Sequence, residues 1–227
     1  MKVVILAGGF GTRLSEYTDS IPKPMVPIGN KPMIQQIMEI YSGYGHKEFY
    51  IALGYKGEII KEHFKNFKSD WNINLIDTGS DTLTGGRLKR LKQYLEKEDF
   101  LLTYGDGLSN VNLNCLLESH FQTKAEVTIT VVNPSSRYGR VNLSGNRILE
   151  FNEKPIFEEN WVNAGFMVFN RNYLDNLWFN DETNLEADIL GGISENGDLG
   201  FYKHKGFWHC MDTLRDYNHL NKLASSS

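Results

Sequence analysis

The sequence predicts an α/β protein: a Rossmann-like, mixed but mostly parallel sheet flanked by helices, with a smaller β-rich extension in its second half. Three observations carry that expectation. Strand-like and helix-like segments alternate through the first hundred or so residues. A buried apolar run passes directly into a glycine-rich turn. Past residue 125 the pattern changes to short β-prone runs.

Residues 3–7 form a short continuous apolar run, as a central parallel strand buried on both faces requires. Residues 32–44 place Met33, Ile34, Ile37, Met38 and Tyr41 at helical spacing, with Gly45 as the stop. Strands at 49–53, 73–76 and 100–103 then alternate with helices at 58–67 and 88–95, which implies right-handed βαβ units. In the second half, 126–132 is strongly β-prone, and 139–143 and 147–151 flank Gly145 as a hairpin. Residues 162–169 and 199–202 are further strands. No Pro- or Ser-rich linker divides the halves, so one domain is expected over 1–223, followed by a disordered tail at 224–227.

The 227 residues carry a net charge of −4, which argues against bulk electrostatic binding of nucleic acid. Cys115 and Cys210 stand far apart and read as isolated thiols of a reducing compartment. The apolar start is too short for a signal peptide, and no run is long enough to cross a bilayer. A cytoplasmic protein without membrane partners is the expectation. His46, His63 and His120 read as surface residues, and no Ser/His or Cys/His constellation stands out.

The informative segment is Leu6-Ala7-Gly8-Gly9-Phe10-Gly11-Thr12-Arg13-Leu14. A turn with three glycines exposes backbone N–H groups that can approach phosphate oxygens closely. It lacks the Gly-Lys-Ser/Thr ending of a Walker loop, and Leu14 stands where a dinucleotide fingerprint needs its third glycine. The loop instead brings Arg13, and Pro22-Lys23-Pro24 follows shortly. A triphosphate whose pyrophosphate must depart needs such cations beside it. Asp106 sits between two glycines at the carboxyl end of the strand at 100–103, where open α/β sheets bind ligands. On spacing alone Asp106 and Asp212 would each pass for a turn or cap residue.

GGFGTRL followed by PKP resembles the signature of the nucleoside-diphosphate-sugar pyrophosphorylase family. Segments 82–90 (TLTGGRLKR), 102–107 (LTYGDG) and 207–213 (FWHCMDT) resemble its glucose-1-phosphate cytidylyltransferase branch, and the similarity covers nearly the whole chain. The resemblance implies a nucleotide-diphospho-sugar transferase fold, with a nucleotide-binding half at 1–124 and an acceptor-binding half at 125–223. It implies transfer of CMP from CTP to a phosphorylated small molecule with release of pyrophosphate. Asp106 and Asp212 would ligate Mg²⁺, beside Arg13 and Lys23. Leu6, Ala7, Gly8, Gly9, Gly11, Thr12, Thr82, Gly86 and Arg87 would contact the nucleotide, with Arg87 chemically able to donate to cytosine. Glu153, Lys154, Asn163, Ala164, Gly165 and Glu186 would receive the acceptor. Relatives form symmetric oligomers, so a homo-oligomer is expected.

The departures fall in the acceptor half. Ala164 replaces a glycine usual in glucose-specific relatives, and Asn184-Leu185-Glu186-Ala187-Asp188 replaces a Trp-Glu-Arg-Glu-Pro-like segment. The chain is also shorter between Arg137 and Phe169. The acceptor is therefore expected to differ from glucose 1-phosphate. L-Glutamine phosphate is one option, since related cytidylyltransferases of capsule phosphoramidate synthesis use it. Glucose 1-phosphate itself, a non-catalytic nucleotide sensor, and, against the missing third glycine, a dinucleotide-dependent oxidoreductase are the alternatives.

Overall fold

A computed structural model describes residues 1–96, 98–134, 138–153 and 160–225. Strand β1 (Lys2–Leu6) leads through α1 (Ser15–Thr18) to the small ribbon β2 (Pro27–Ile28) and β3 (Lys31–Pro32). The first half continues as α2 (Met33–Gly43), β4 (Glu48–Leu53), α3 (Gly57–Lys65), β5 (Asn72–Asp77), α4 (Thr84–Leu91), β6 (Phe100–Tyr104), β7 (Gly107–Ser109) and α5 (Leu113–Thr123). The second half opens with β8 (Val127–Val132), β9 (Arg140–Ser144), β10 (Arg147–Asn152), β11 (Val162–Phe169) and α6 (Tyr173–Asn176). A π-helical turn (Leu185–Leu190), α7 (Gly191–Glu195), β12 (Leu199–Lys203), β13 (Trp208–Cys210) and α8 (Leu214–Ala224) follow.

A seven-stranded sheet in the order β12-β8-β11-β6-β1-β4-β5 forms the centre. β6, β1, β4 and β5 run parallel, and β11 is antiparallel to both of its neighbours, β6 and β8. The expected mixed, mostly parallel sheet is what forms. Strand β1 shows why. Its side chains alternate between the two faces: Val3 and Ile5 pack with α2 residues Ile34 and Ile37, while Val4 and Leu6 pack with α4 residues Leu88 and Leu91. Each such side chain, fully buried, stabilises the fold by about 1.5–3 kcal/mol. The parallel arrangement brings the ends of β1, β4, β5 and β6 to one edge, where Leu6, Leu53, Asp77 and Tyr104 open into loops. The hairpin expected around Gly145 forms as β9–β10, pairing Leu143 with Ile148 and Val141 with Phe151.

Three expectations need correction. His120 is not a surface residue: it is 3% exposed, and its Nδ1 lies 2.9 Å from the Thr128 hydroxyl under β8. Residue 224 does not belong to a tail, because α8 extends through Ala224, and Ser225 Oγ donates to the Asn221 carbonyl at 2.8 Å. The helix expected from residue 88 starts at Thr84 instead. Gly85 and Gly86, which would ordinarily break a helix, lie in its first turn and let another segment approach closely. Their N–H groups donate to the Thr183 carbonyl at 2.9 and 3.1 Å, and the Leu83 N–H donates to the Asp181 carbonyl at 2.9 Å.

A Cβ on Gly86 would stand 2.5 Å from the Asp181 carbonyl oxygen. Helix propensity favours alanine over glycine by about 1 kcal/mol, and overpacking against backbone costs about 1–3 kcal/mol. The clash wins. Gly86→Ala is expected to lower the stability by about 1 kcal/mol, read as a lower midpoint in urea unfolding. A midpoint at or above that of the native chain would show that the 181–183 segment yields instead.

Candidate active site

The turn after β1 is shaped by its glycines and supported from below. Gly11 adopts φ 66°, in the left-handed region that favours glycine. Its carbonyl accepts from the Leu14 N–H at 3.0 Å and from the Thr18 hydroxyl at 3.1 Å. Gly8 has no room for a side chain, since its Cβ would lie 2.1 Å from the Arg87 guanidinium.

Arg87 is 3% exposed and lies beneath the loop. One terminal nitrogen donates to the Leu53 carbonyl, the Thr78 hydroxyl and the Gly79 carbonyl at 3.1, 2.7 and 2.7 Å. The other donates to the Gly8 and Ser80 carbonyls at 2.9 and 3.1 Å. Its terminal N–H groups are engaged by oxygens of the ends of β1, β4 and β5, which ties the loops together, and the residue also lines the crevice above them.

Above this floor lies a cavity of about 360 Å³. Leu6, Ala7, Gly8, Gly9, Gly11, Thr12, Arg13, Lys23, Thr82, Arg87 and Asp106 all line it, so the sequence-derived nucleotide set converges on one crevice. Gly86 is not in the lining; it serves the contact with Asp181. Phe10, Ser80, Leu83, Thr84 and Tyr104 line the cavity as well and had no role assigned from the sequence, and Asn184 of the replaced 184–188 segment joins them. Tyr104 had a usable signal, being an aromatic at the strand end directly before the Gly105-Asp106-Gly107 turn.

A partly buried ionic cluster closes one side, with Lys23 innermost and Arg13 exposed. Lys23 Nζ donates to Asp106 Oδ2 at 2.7 Å and to Asp212 Oδ1 at 2.8 Å. Arg13 Nη1 donates to Asp212 Oδ2 at 2.9 Å. The 3-10 turn at Lys23–Met25, with proline at its second position, presents the lysine. The turn after β6 presents Asp106, and the connection between β13 and α8 presents Asp212. Burial alone would lower the Lys23 pKa, but the Asp106 charge and the bonds to both carboxylates outweigh it and raise the pKa above the ordinary 10.5. For Asp212 burial would raise the pKa; the Lys23 hydrogen bond and the Lys23 and Arg13 charges overcome it and hold the group below the ordinary 3.8. Cys210 Sγ lies with the two carboxylates, each offering one atom within 4.8 Å of the others, and burial first, then Asp106, pushes its thiol far up.

Of the residues expected to receive the acceptor, Asn163, Gly165 and Glu186 gather around Tyr104, with Ala164 between the first two. The Tyr104 hydroxyl donates to Glu186, whose other oxygen accepts from the Thr84 hydroxyl at 2.9 Å. Gly165 adopts φ 82°, and its missing Cβ leaves room for the Tyr104 ring, which would otherwise be 2.6 Å away. Asn163 Oδ1 accepts from the Gly165 N–H at 2.9 Å. Ala164 is 5% exposed, and its carbonyl accepts from the Trp208 indole at 2.9 Å. Glu153 follows β10 and is exposed. Lys154 lies outside the described residues.

The profile of the nucleotidyl transferase family matches residues 2–225. The chain belongs to that family. Glucose-1-phosphate cytidylyltransferase of Salmonella typhi is 41% identical over 246 residues, covering 98% of this chain and 95% of the relative. The probable glucose-1-phosphate cytidylyltransferase of Bacillus subtilis is 38% identical over 244 residues, covering 98% and 96%. Among solved structures, HddC from Yersinia pseudotuberculosis superposes with a TM-score of 0.80 at 25% identity, covering 98% of this chain and 99% of that one. The family read from GGFGTRL, PKP and LTYGDG is the family these comparisons return. No helix among the described residues is long and apolar enough to cross a membrane.

Two outcomes follow from the geometry. Replacing Arg87 by methionine leaves several buried carbonyls unpaired and is expected to lower stability on the order of 3 kcal/mol, measured by urea unfolding, and to weaken nucleotide binding; an unchanged midpoint would remove its supporting role. The second outcome concerns pH. The Asp212 pKa is lower in the folded than in the unfolded chain, so its contribution to stability is present above about pH 4 and is lost as pH falls through the depressed value. The Lys23 pKa is raised, so its contribution is full below 10.5 and is lost above it. Between pH 3 and 5, the unfolding midpoint of Asp212→Asn should therefore fall less steeply than that of the native chain; equal slopes would exclude the contribution.

Proposed function

We propose that this protein transfers CMP from CTP to the phosphate of a small-molecule acceptor and releases pyrophosphate. The observation that carries the reading is the Lys23–Asp106–Asp212–Arg13 cluster beside a glycine loop at the carboxyl edge of a parallel sheet. The names of the 38–41% identical relatives support the choice of nucleotide.

The chemistry asks little of protein nucleophiles. The acceptor's phosphate, with a second pKa near ~6, is already largely ionised at neutral pH. One of its oxygens attacks the α-phosphorus in line, the bond between α-phosphorus and the bridging oxygen breaks, and pyrophosphate leaves with the electron pair. The enzyme must bring two anions together and stabilise the departing one. In this reading Lys23 would screen the phosphates near the reacting centre, and the more exposed Arg13 would meet the departing pyrophosphate.

The carboxylates fit a magnesium ion. Two hard oxygen donors face a point that already holds the Lys23 ammonium, so positive charge is favoured there. The neighbouring Cys210 thiol, kept protonated by burial, offers a hard ion nothing. Asp106 and Asp212 would hold Mg²⁺, which when bound draws negative charge from the triphosphate.

For the acceptor we put a phosphate other than glucose 1-phosphate first, either another sugar phosphate or a non-sugar phosphate such as L-glutamine phosphate. The buried Ala164 methyl and the Asn184–Asp188 replacement support a reshaped pocket, and Glu186, held by Tyr104 and Thr84, suits an amine or hydroxyl donor. Glucose 1-phosphate is the second reading, favoured by the relatives' names.

Pyrophosphate release should be measured with Mg²⁺, pairing CTP, UTP, dTTP and ATP with glucose 1-phosphate, other sugar 1-phosphates and L-glutamine phosphate. Release is expected with CTP and with an acceptor other than glucose 1-phosphate, whether another sugar 1-phosphate or L-glutamine phosphate. Equal or faster turnover of glucose 1-phosphate would establish the second reading. Tight CTP binding without release from any pair would mark a nucleotide sensor. Lys23→Met and Asp106→Asn should each lower kcat by about 10²–10³-fold, and a loss below about tenfold would remove that group from the reaction.

A further inference from the structure

Asp216 stands in the first turn of α8, four positions after Asp212, and neither the cluster nor the crevice includes it. It is a buried acid, 8% exposed. Oδ2 accepts from the Thr213 N–H at 2.9 Å and the Thr213 hydroxyl at 2.8 Å, while the Asp216 N–H donates back to Thr213 Oγ1 at 3.3 Å. That much is a capping box, and it explains why α8 starts where it does.

Two contacts exceed what a cap requires. Oδ2 also accepts from the Asp212 N–H at 3.2 Å. Oδ1 stands 3.3 Å from Nε2 of His209 on β13, whose ring lies 4.8 Å from that of His219. One carboxylate therefore joins the strand before Asp212, the main chain of Asp212 itself, and the helix after it. Asp212 has to present one oxygen to Lys23 and the other to Arg13 simultaneously, which fixes both its backbone and its side-chain direction.

We propose that Asp216 is a positioning residue for nucleotidyl transfer, clamping the main chain of Asp212 so that its carboxylate meets Lys23 and Arg13. This rests on the reading above that Asp212 serves the reaction. A displacement of an ångström at a reacting centre can lower the rate as much as loss of a catalytic group. A group that only caps the helix would act on stability alone.

Glutamate separates the two roles, because it is a favoured capping-box residue at this position of a helix but is one methylene too long to keep the Asp212 and His209 contacts together. Asp216→Glu is expected to melt within ~2 °C of the native chain. Its kcat should fall by about tenfold or more, with KM for CTP changed less than about threefold and the half-saturating Mg²⁺ concentration raised. Asp216→Ala, which loses the cap too, should show the same kinetic loss and a lower melting temperature. Native kcat in Asp216→Glu, or activity lost only in proportion to folded protein in both variants, overturns the proposal. Should the native enzyme release no pyrophosphate with any acceptor, the functional reading fails by itself. Calorimetry of CTP binding against Mg²⁺ concentration then decides: a weakened Mg²⁺ dependence in Asp216→Glu supports positioning, and an unchanged one overturns it. A native chain without Mg²⁺-dependent CTP binding overturns both.

Discussion

The ammonium group of Lys23, closed between two carboxylates, is the contact on which the rest of the site depends. Its partners lie 83 and 189 positions further along the chain, so the PKP turn, the end of β6 and the β13–α8 connection must all meet at one point. Burying the lysine and half-burying two aspartates is unfavourable, and the cost is offset only when the charges find partners. Here each does, with Arg13 covering the outer oxygen of Asp212. Apolar side chains of similar volume would join the three segments at least as well. The charges are therefore better explained by phosphate chemistry than by stability.

The cations of the site divide by what they face. Arg13 and Lys23 line the crevice beside their carboxylates, whereas Arg87 turns its terminal nitrogens toward protein oxygens under the glycine loop. That division gives the loop a rigid floor and leaves its upper N–H groups for a ligand. The same economy of space appears at Gly165, where the absent side chain lets the Tyr104 ring enter and its hydroxyl reach Glu186. The crevice and the region around Gly165 and Glu186 thus share one aromatic side chain at the end of β6.

Most of the sheet was legible because its strands are short, continuous apolar runs, and continuous burial on both faces leaves little other reading for VVIL or FLLT. The glycine loop and its two cations were legible for a local reason: their spacing is itself the device. The failures share a different character. Gly85 and Gly86 read as helix breakers because the segment that needs them, 181–183, lies a hundred positions away. His120 read as exposed because its partner, Thr128, becomes a neighbour only when β8 packs. Arg87 lay in a recognised motif, yet its direction depends on carbonyls at the ends of three strands. Helix α5 passed unread because it has only a thin buried stripe of Leu113, Leu116 and His120. Asp216 is polar at a buried position, which no hydrophobic period reveals.

The docking of the 181–183 segment on α4 joins main-chain hydrogen bonds over the bare faces of Gly85 and Gly86 to the Arg90–Asp181 ion pair. Over the two glycines the joint reads main chain, and main chain is common to every residue except proline. The neighbouring positions from Asn184 to Asp188 can then exchange side chains while the segment keeps its seat beside Thr84. A scaffold built this way can keep its crevice while the side chains of a short neighbouring stretch are rewritten, without refounding the fold.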